Sequence, residues 1–206
     1  KVIYGVEAYL VDDLKDMIVN PKGQHLNDRY VVFDLETTGF SAKSDKIIEI
    51  GAVKVENGKI IDRFSTFVNP EIPIPFRIEK LTSINDEMVI DAPKIEEILP
   101  QFMEFCKDSV MVAHNSDFDM SFIEANCKRQ DLECDFTVID TVAMSRYLII
   151  GLGRYKLDNV AKALGIVLDH HHRAVDDAEC TALIFLKLCK MLEGKGIDNL
   201  DELNRQ

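Results

Sequence analysis

Three clusters of carboxylates and histidines are the residues of this chain best suited to chemistry. The first is residues 34–39 (DLETTG), which follow a short β-branched and aromatic run, residues 30–33. Side chains two positions apart on a strand point to the same face, so Asp34 and Glu36 should lie side by side. Two carboxylates at the end of a buried strand need a cation, and oxygen ligands favour Mg²⁺ or Mn²⁺. The alternative is a solvated turn, where Asp, Thr and Gly are also common.

The second cluster is residues 114–123 (HNSDFDMSFI), where the pattern changes from strand to helix. A helix N-cap would explain Asp117 or Ser116 without any chemistry. It does not explain Asp119, which falls inside the first helical turn. We therefore expect Asp119 on the same side as the strand end, within reach of a metal held by Asp34.

The third cluster is residues 170–178 (HHHRAVDDA), in which His172 precedes Asp177 by five positions. An imidazole, with an ordinary pKa of ~6.5, is suited to taking a proton from water near neutral pH. The alternative is that Asp176 and Asp177 only complement a helix dipole, which explains the acidic pair but not the histidine. His170 and His171 are interpreted as exposed loop residues.

The elements that must position these clusters follow from hydrophobic periodicity. Two strand-like runs, residues 47–56 and 60–68, are separated by an Asn-Gly pair, which is a strong hairpin signal. Together with residues 30–33 they predict a three-stranded antiparallel meander. The fully apolar residues 110–113 have the pattern of a buried parallel strand, and residues 137–139 form another short strand.

Helices are predicted after the meander because the apolar period lengthens to that of a helix. One apolar face contains Ile95, Ile98, Leu99, Phe102 and Phe105. Further helical patterns cover residues 117–128, 141–149, 156–164 and 174–192. We therefore expect an α/β fold with a mixed five-stranded sheet, three antiparallel strands and then parallel strands, flanked by helices.

Composition limits the classes of function. The 206 residues include 24 Lys and Arg against 36 Asp and Glu, a net charge of −12, and 47% are hydrophobic. This is the composition of an ordinary globular domain, and no apolar run approaches the length of a membrane span. The negative balance argues against a protein that coats nucleic acid through bulk positive charge. Five cysteines without a C-x-x-C pair indicate free thiols, and we expect a cytoplasmic location.

In chain order the three clusters read D-x-E-T-T-G, H-N-x-x-F-D-x-x-F and H-R-A-x-D-D-A. With these motifs the chain resembles the DEDD superfamily of 3′→5′ exonucleases, in the subgroup whose last motif contains histidine (DEDDh). The resemblance spans about residues 29–192. It implies an RNase H-like fold and two divalent cations, Mg²⁺ or Mn²⁺, that clamp the scissile phosphate.

The resemblance also implies a role for each residue of the motifs. Asp34 would bridge both cations, Glu36 and Asp177 would complete the site that holds the attacking water, and Asp119 would hold the second cation. His172 would accept the proton from that water, and a nucleoside monophosphate would leave the DNA 3′ end.

Substrate contacts are assigned by the same resemblance. Thr37 and Thr38 would contact the terminal 3′-OH. Phe118 would either stack on the last base or pack in the core, and Asn115 would either position a phosphate or anchor its loop.

The N-terminal residues 4–13 (YGVEAYLVDD) resemble part of the polymerase-and-histidinol-phosphatase (PHP) domain of PolC-type DNA polymerase III. On this interpretation residues 1–28 and 193–206 are flanks of an exonuclease domain at residues 29–192. Its partners would be the rest of such a polymerase and a single-stranded or frayed DNA 3′ end, and its function would be proofreading. The alternatives are a stand-alone exoribonuclease that trims RNA 3′ ends and an inactive linking module.

Overall fold

A computed structural model describes residues 15–26, 28–167 and 173–205. The strands expected within residues 1–13, together with His170, His171 and His172, lie outside the described residues. The five cysteines are all described, and each is a free thiol as predicted.

One mixed sheet forms the centre of the molecule. Its strands are β1 (Ile18–Val19), β2 (Tyr30–Thr37), β3 (Ile47–Glu56), β4 (Lys59–Phe67), β5 (Val110–Ala113) and β6 (Val138–Asp140). Their spatial order is β1-β6-β5-β2-β3-β4. Strands β2, β3 and β4 form the predicted antiparallel meander, and β5 and β6 continue the sheet in parallel with β2. Among the described residues the sheet has six strands rather than the expected five, because Ile18 and Val19 pair with the edge of β6.

The hairpin between β3 and β4 follows directly from its two turn residues. Asn57 and Gly58 have φ angles of 51° and 71°, in the left-handed region. Asn and Gly adopt this region most readily, and two such residues give a turn whose twist matches that of the strands.

Helices cover both faces of the sheet. They are α1 (Phe76–Thr82), α2 (Asp86–Val89), α3 (Ile95–Cys106), α4 (Ser116–Arg129), α5 (Thr141–Leu148), α6 (Leu157–Ala163) and α7 (Ala174–Glu193), followed by a 3₁₀ helix (Leu200–Arg205). Apolar residues of α5, α6 and α7 pack on one face, and those of α3 and α4 pack on the other. The short helices α1 and α2 were not predicted. No helix of the described chain is both long and apolar enough to cross a membrane.

Strand β2 distributes its side chains strictly between these two cores. Tyr30 and Val32 pack on the α7 side, and Val31 and Phe33 pack on the α3–α4 side. Continuing the alternation puts the side chains of Asp34 and Glu36 on the α7 side. The carboxylates of β2 therefore face the helix that carries Asp177.

The described parts of both flanks pack on the same core. Met17 and Ile18 belong to the α7-side cluster together with Leu200 and Leu203. The Asn204 side chain accepts hydrogen bonds from the amides of Met17 and Ile18, at 2.8 and 3.1 Å. The predicted boundaries of the exonuclease domain stay a prediction, and the described flank residues are continuous with its core.

Gly51 determines how closely α7 approaches β3. A Cβ atom at this position would lie 2.0 Å from the backbone nitrogen of Val175 and 2.1 Å from the carbonyl carbon of Ala174. Only a residue without a side chain leaves room for the helix backbone at this distance.

We predict that Gly51→Ala destabilises the protein by about 3 kcal/mol, the upper part of the range for overpacking, because the clash is with backbone. Urea unfolding measures the effect. The matched control is Gly194→Ala at the end of α7, where φ is −62° and the nearest atom to a new Cβ is 3.4 Å away. That change should be neutral or stabilising, and equal stability of the two variants would contradict the tight approach of α7.

Candidate active site

Three carboxylates converge where β2 ends beneath the start of α7. Asp34 and Glu36 lie two positions apart on β2, and Asp177 lies in the first turn of α7. One carboxylate oxygen of each lies within 4.8 Å of the others, and all three residues are half-buried. This three-carboxylate cluster has the ligand chemistry of a site for a hard divalent cation.

Asp119 approaches the same strand end from α4. It is 3% exposed, and its Oδ1 accepts a hydrogen bond from the backbone N–H of Leu35 at 3.1 Å. Helix α4 starts three residues after β5, the strand next to β2, so the first turn of α4 reaches the end of β2. Asp119 is thereby fixed beside the peptide that separates Asp34 from Glu36.

The charges of these groups interact strongly. Burial raises the pKa of Asp34 well above its ordinary range, and the neighbouring carboxylates of Asp119 and Glu36 raise it further. Burial and the charge of Asp177 raise the pKa of Glu36 to about 7. Burial also raises the pKa of Asp119 to about 8, against the opposing effect of the Leu35 N–H. Such a group of carboxylates fits a divalent cation, because a cation stabilises their charged forms.

The start of α7 is fixed by Glu49, a residue that sequence reasoning missed. Its side chain is fully buried and accepts hydrogen bonds from Arg173 Nε at 2.8 Å and Nη2 at 2.6 Å. Its second oxygen accepts from the backbone N–H of Ala174 at 3.1 Å. A carboxylate within the apolar run 47–51 (IIEIG) is the sequence signal that could have revealed it.

The turn before α4 is fixed by Asp140, a second residue without a predicted role. Asn115 has φ of 73°, and its N–H donates to Asp140 Oδ1 at 3.1 Å. Asp140 also caps α5, and its other oxygen lies 2.5 Å from Lys15 Nζ, which contacts Asp117 at 2.9 Å.

Because α4 begins at Ser116, neither Ser116 nor Asp117 is its N-cap.

The predicted substrate residues Thr37 and Thr38 are 6% and 1% exposed. Thr37 Oγ1 donates to the Gly39 carbonyl at 2.6 Å, and Thr38 Oγ1 accepts from the Lys46 N–H at 2.9 Å. Both hydroxyls therefore stabilise the loop after β2, and their contact with a DNA 3′ end stays a prediction.

Phe118 lies between the core and the surface. Its ring centroid is 5.3 Å from that of buried Phe122 and 6.4 Å from that of Phe40, which is 71% exposed. The contact with Phe122 agrees with packing in the core, and the position beside exposed Phe40 agrees with stacking on a base. Phe40, directly after the DLETTG motif, is an exposed aromatic residue that sequence reasoning missed.

His172 lies outside the described residues. It immediately precedes Arg173, which is bound to Glu49 at the start of α7. Its predicted role as the base stays a prediction.

Comparison with known sequences bears on the whole chain. A sequence model of the exonuclease family (RNase_T) matches residues 31–185. The PolC-type DNA polymerase III of Caldanaerobacter subterraneus subsp. tengcongensis is 52% identical over 204 residues, 99% of this chain and 15% of that protein. The PolC-type enzyme of Clostridium perfringens is 51% identical over 207 residues, 100% of this chain and 14% of that protein. The chain thus spans about a seventh of the length of these curated relatives.

Solved structures share the fold. Exonuclease X in complex with 5′ overhanging duplex DNA has 28% identity and a TM-score of 0.65, over 85% of this chain and 98% of that one. The nuclease domain of 3′hExo, a DEDDh family member bound to rAMP, has 21% identity and a TM-score of 0.70, over 80% and 93% of the two chains. The predicted RNase H-like fold is confirmed.

We predict that Mn²⁺ raises the melting temperature more at pH 8 than at pH 5. The pKa values of Glu36 and Asp119 are raised in the folded chain to about 7 and 8. Their unfolded values are about 4.3 and 3.9, so the metal-free folded state binds more protons and loses stability as pH rises from about 4 to 8. A cation removes this penalty by stabilising the carboxylates. Thermal unfolding with Mn²⁺ and with EDTA at both pH values measures the difference.

The matched variant for this experiment is Glu36→Gln, which removes one of the like charges and keeps the side-chain shape. In EDTA at pH 8 it should melt at a higher temperature than the unmodified protein and respond less to Mn²⁺. The exposed Asp62→Asn should change neither quantity. A larger Mn²⁺ effect at pH 5, or none at pH 8, would exclude a cation site at the cluster.

Proposed function

This chain belongs to the exonuclease (RNase_T) family, and we propose that it is a metal-dependent 3′→5′ exonuclease that removes nucleoside monophosphates from DNA ends. The single observation that supports this reaction best is the convergence of Asp34, Glu36 and Asp177 within 4.8 Å, beside a buried Asp119. Such a cluster serves hydrolysis of a phosphodiester, since the reaction must activate a water and stabilise additional negative charge on phosphate.

The carboxylates would hold two divalent cations, Mg²⁺ or Mn²⁺. Asp34, Glu36 and Asp177 are suited to one, and Asp34 with Asp119, directly or through water, to the other. When bound, the cations supply a more acidic water and neutralise charge on the phosphate. The rigid β2 end and the hydrogen bond from Leu35 to Asp119 keep these ligands in place without rearrangement.

The remaining step is proton transfer. His172, in its neutral form, would accept a proton from the attacking water as the new bond to phosphorus forms. The bond between phosphorus and the 3′ oxygen of the preceding nucleotide then breaks, and that oxygen takes up a proton. One nucleoside 5′-monophosphate is released, and the shortened strand keeps a free 3′-OH.

The biological role we propose is proofreading beside a PolC-type DNA polymerase III. Identity of 45–52% to such polymerases over 99–100% of this chain supports the proposal. Its partners would be the remainder of such a polymerase and a single-stranded or frayed DNA 3′ end. Because the polymerases that it resembles come from bacteria, we propose a cytoplasmic location.

We predict that Asp34→Asn lowers exonuclease activity by about 10²–10³-fold without loss of folding, because it removes charge from the centre of the cluster. The assay follows shortening of 5′-labelled single-stranded DNA in Mg²⁺ or Mn²⁺. Asp62→Asn, the same change at an exposed position of β4, is the control. Full activity of a folded Asp34→Asn would overturn the assignment.

The same assay distinguishes proofreading of DNA from trimming of RNA 3′ ends. A mismatched 3′ end should be removed faster than a paired one, because less unpairing is needed. Equal rates on the two ends would contradict proofreading, and faster cleavage of RNA than of DNA would favour RNA trimming.

We predict that His172→Ala lowers kcat by about 10²–10⁴-fold and changes the Kd for single-stranded DNA by less than about threefold, as expected for a general base. His171→Ala, the neighbouring histidine, is the control and should retain its activity. The pH–rate profile of His172→Ala should also lose its rise near neutral pH. Equal losses of turnover and binding, or equal effects of the two variants, would exclude His172 as the base.

A further inference from the structure

A cationic cleft lies at the carboxyl ends of β5 and β6, next to the turn that leads into α4. It has a volume of about 710 Å³ between α5 and the start of α6, and its wall includes Arg146, Arg154 and Lys156. All three cations are on exposed residues, and no Asp or Glu is among the described residues that line the cleft.

The cations of the cleft are available to a ligand. Within the described chain none of the three makes an ion pair, whereas Arg29, Arg63 and Arg173 each bind a glutamate. In a chain with a net charge of −12, three cations together in a wall that has no Asp or Glu favour the approach of an anion.

The cleft opens at the same end of the strands as the three-carboxylate cluster. His114 and Asn115 line it, and they connect the end of β5 to α4, which carries Asp119 four residues after Asn115. Strand β5 runs parallel to β2, so this end of β5 lies at the same edge as Asp34. A single-stranded nucleic acid whose last phosphate reaches the carboxylates would have its preceding phosphates close to this wall.

Contacts within the protein hold part of this wall in place. The Arg146 guanidinium lies 5.4 Å from the centroid of the Tyr155 ring, whose hydroxyl donates to the carbonyl of Ile149 at 2.7 Å. His114 bonds through Nδ1 to Thr141 and through Nε2 to the Tyr155 carbonyl, both at 2.9 Å. A pre-ordered wall lowers the entropic cost of holding a flexible strand.

We propose that this cleft binds the phosphate backbone of the substrate strand, on the 5′ side of the bond that is cut. The ligand class is single-stranded nucleic acid, recognised through charge rather than base sequence. The inference rests on the proposed function, and it assigns strand holding to Arg146, Arg154 and Lys156.

The first test measures binding without hydrolysis. Fluorescence anisotropy of a labelled twelve-nucleotide oligothymidylate in EDTA gives the Kd over a range of salt concentrations. The variant is Arg146→Gln/Arg154→Gln/Lys156→Gln, which should raise the Kd about tenfold or more at low salt. The slope of log affinity against log salt should become shallower by about 2, since each phosphate contact contributes about 0.7 on single strands.

The matched control removes three positive charges at the opposite edge of the sheet. Lys59 begins β4 directly after the β3–β4 turn, and Lys128 and Lys190 lie near the ends of α4 and α7, both of which begin at the site. Changing these exposed lysines to Gln gives the same net charge as the cleft variant. An equal loss of affinity in both triple variants would overturn the cleft and leave only a general charge effect.

The second test separates strand holding from chemistry. The p-nitrophenyl ester of thymidine 5′-monophosphate has the phosphodiester but no preceding phosphates. The cleft variant should lose about tenfold or more of kcat/KM on the oligonucleotide and far less on the ester. Equal losses on the two substrates would contradict the proposal.

A double variant controls for the contact between Arg146 and Tyr155. Because Arg146 contacts Tyr155, the double variant Arg154→Gln/Lys156→Gln repeats both measurements without that change, and its melting temperature should match that of the unmodified protein. If the unmodified protein cleaves neither substrate, the proposed function fails, and the anisotropy difference between cleft and control variants still decides whether the cleft binds a strand.

Discussion

The buried carboxylate of Glu49 is the group on which the geometry of the site depends. It lies inside β3 and binds both the guanidinium of Arg173 and the first amide of α7. A buried carboxylate is costly without such partners, and the amides and dipole at a helix start favour negative charge. The helix therefore has one favourable starting position on the sheet. Gly51, two residues along β3, allows the close approach that this position requires.

The position of α7 on the sheet brings several negative charges close together, which is unfavourable for folding. Asp177 enters on α7, Asp34 and Glu36 are on β2, and Asp119 is held to the backbone of Leu35. The strand, the start of α7 and the hydrogen bond from the Leu35 N–H hold these four residues at the same end of β2. Burial, together with the charges of the neighbouring carboxylates, raises the pKa values of Asp34, Glu36 and Asp119. The cluster is therefore suited to cations and is a weak point of the metal-free fold.

The net charge of −12 is unevenly distributed over the molecule. Bound cations would balance the carboxylates at the end of β2, and the wall formed by Arg146, Arg154 and Lys156 contains no Asp or Glu. Between the two, Lys15 from the N-terminal flank neutralises the buried Asp140 that fixes the turn before α4. This distribution of charge would allow an acidic chain to bind a polyanion at one end.

The sequence by itself determined the local features: the meander with its Asn-Gly turn, the main helices, and the order of the acidic motifs. These depend on period, turn chemistry and neighbouring residues, which are all readable along the chain. The sequence could not reveal Glu49 with Arg173, Asp140 with Lys15, or the pairing of Ile18 with Ile139, each joining residues more than 100 positions apart. It also could not show that Phe40 meets Phe118, or that three separated cations share one wall. Only tertiary structure decided these contacts, because a side chain acquires a distant partner through the packing of whole elements rather than through any local pattern.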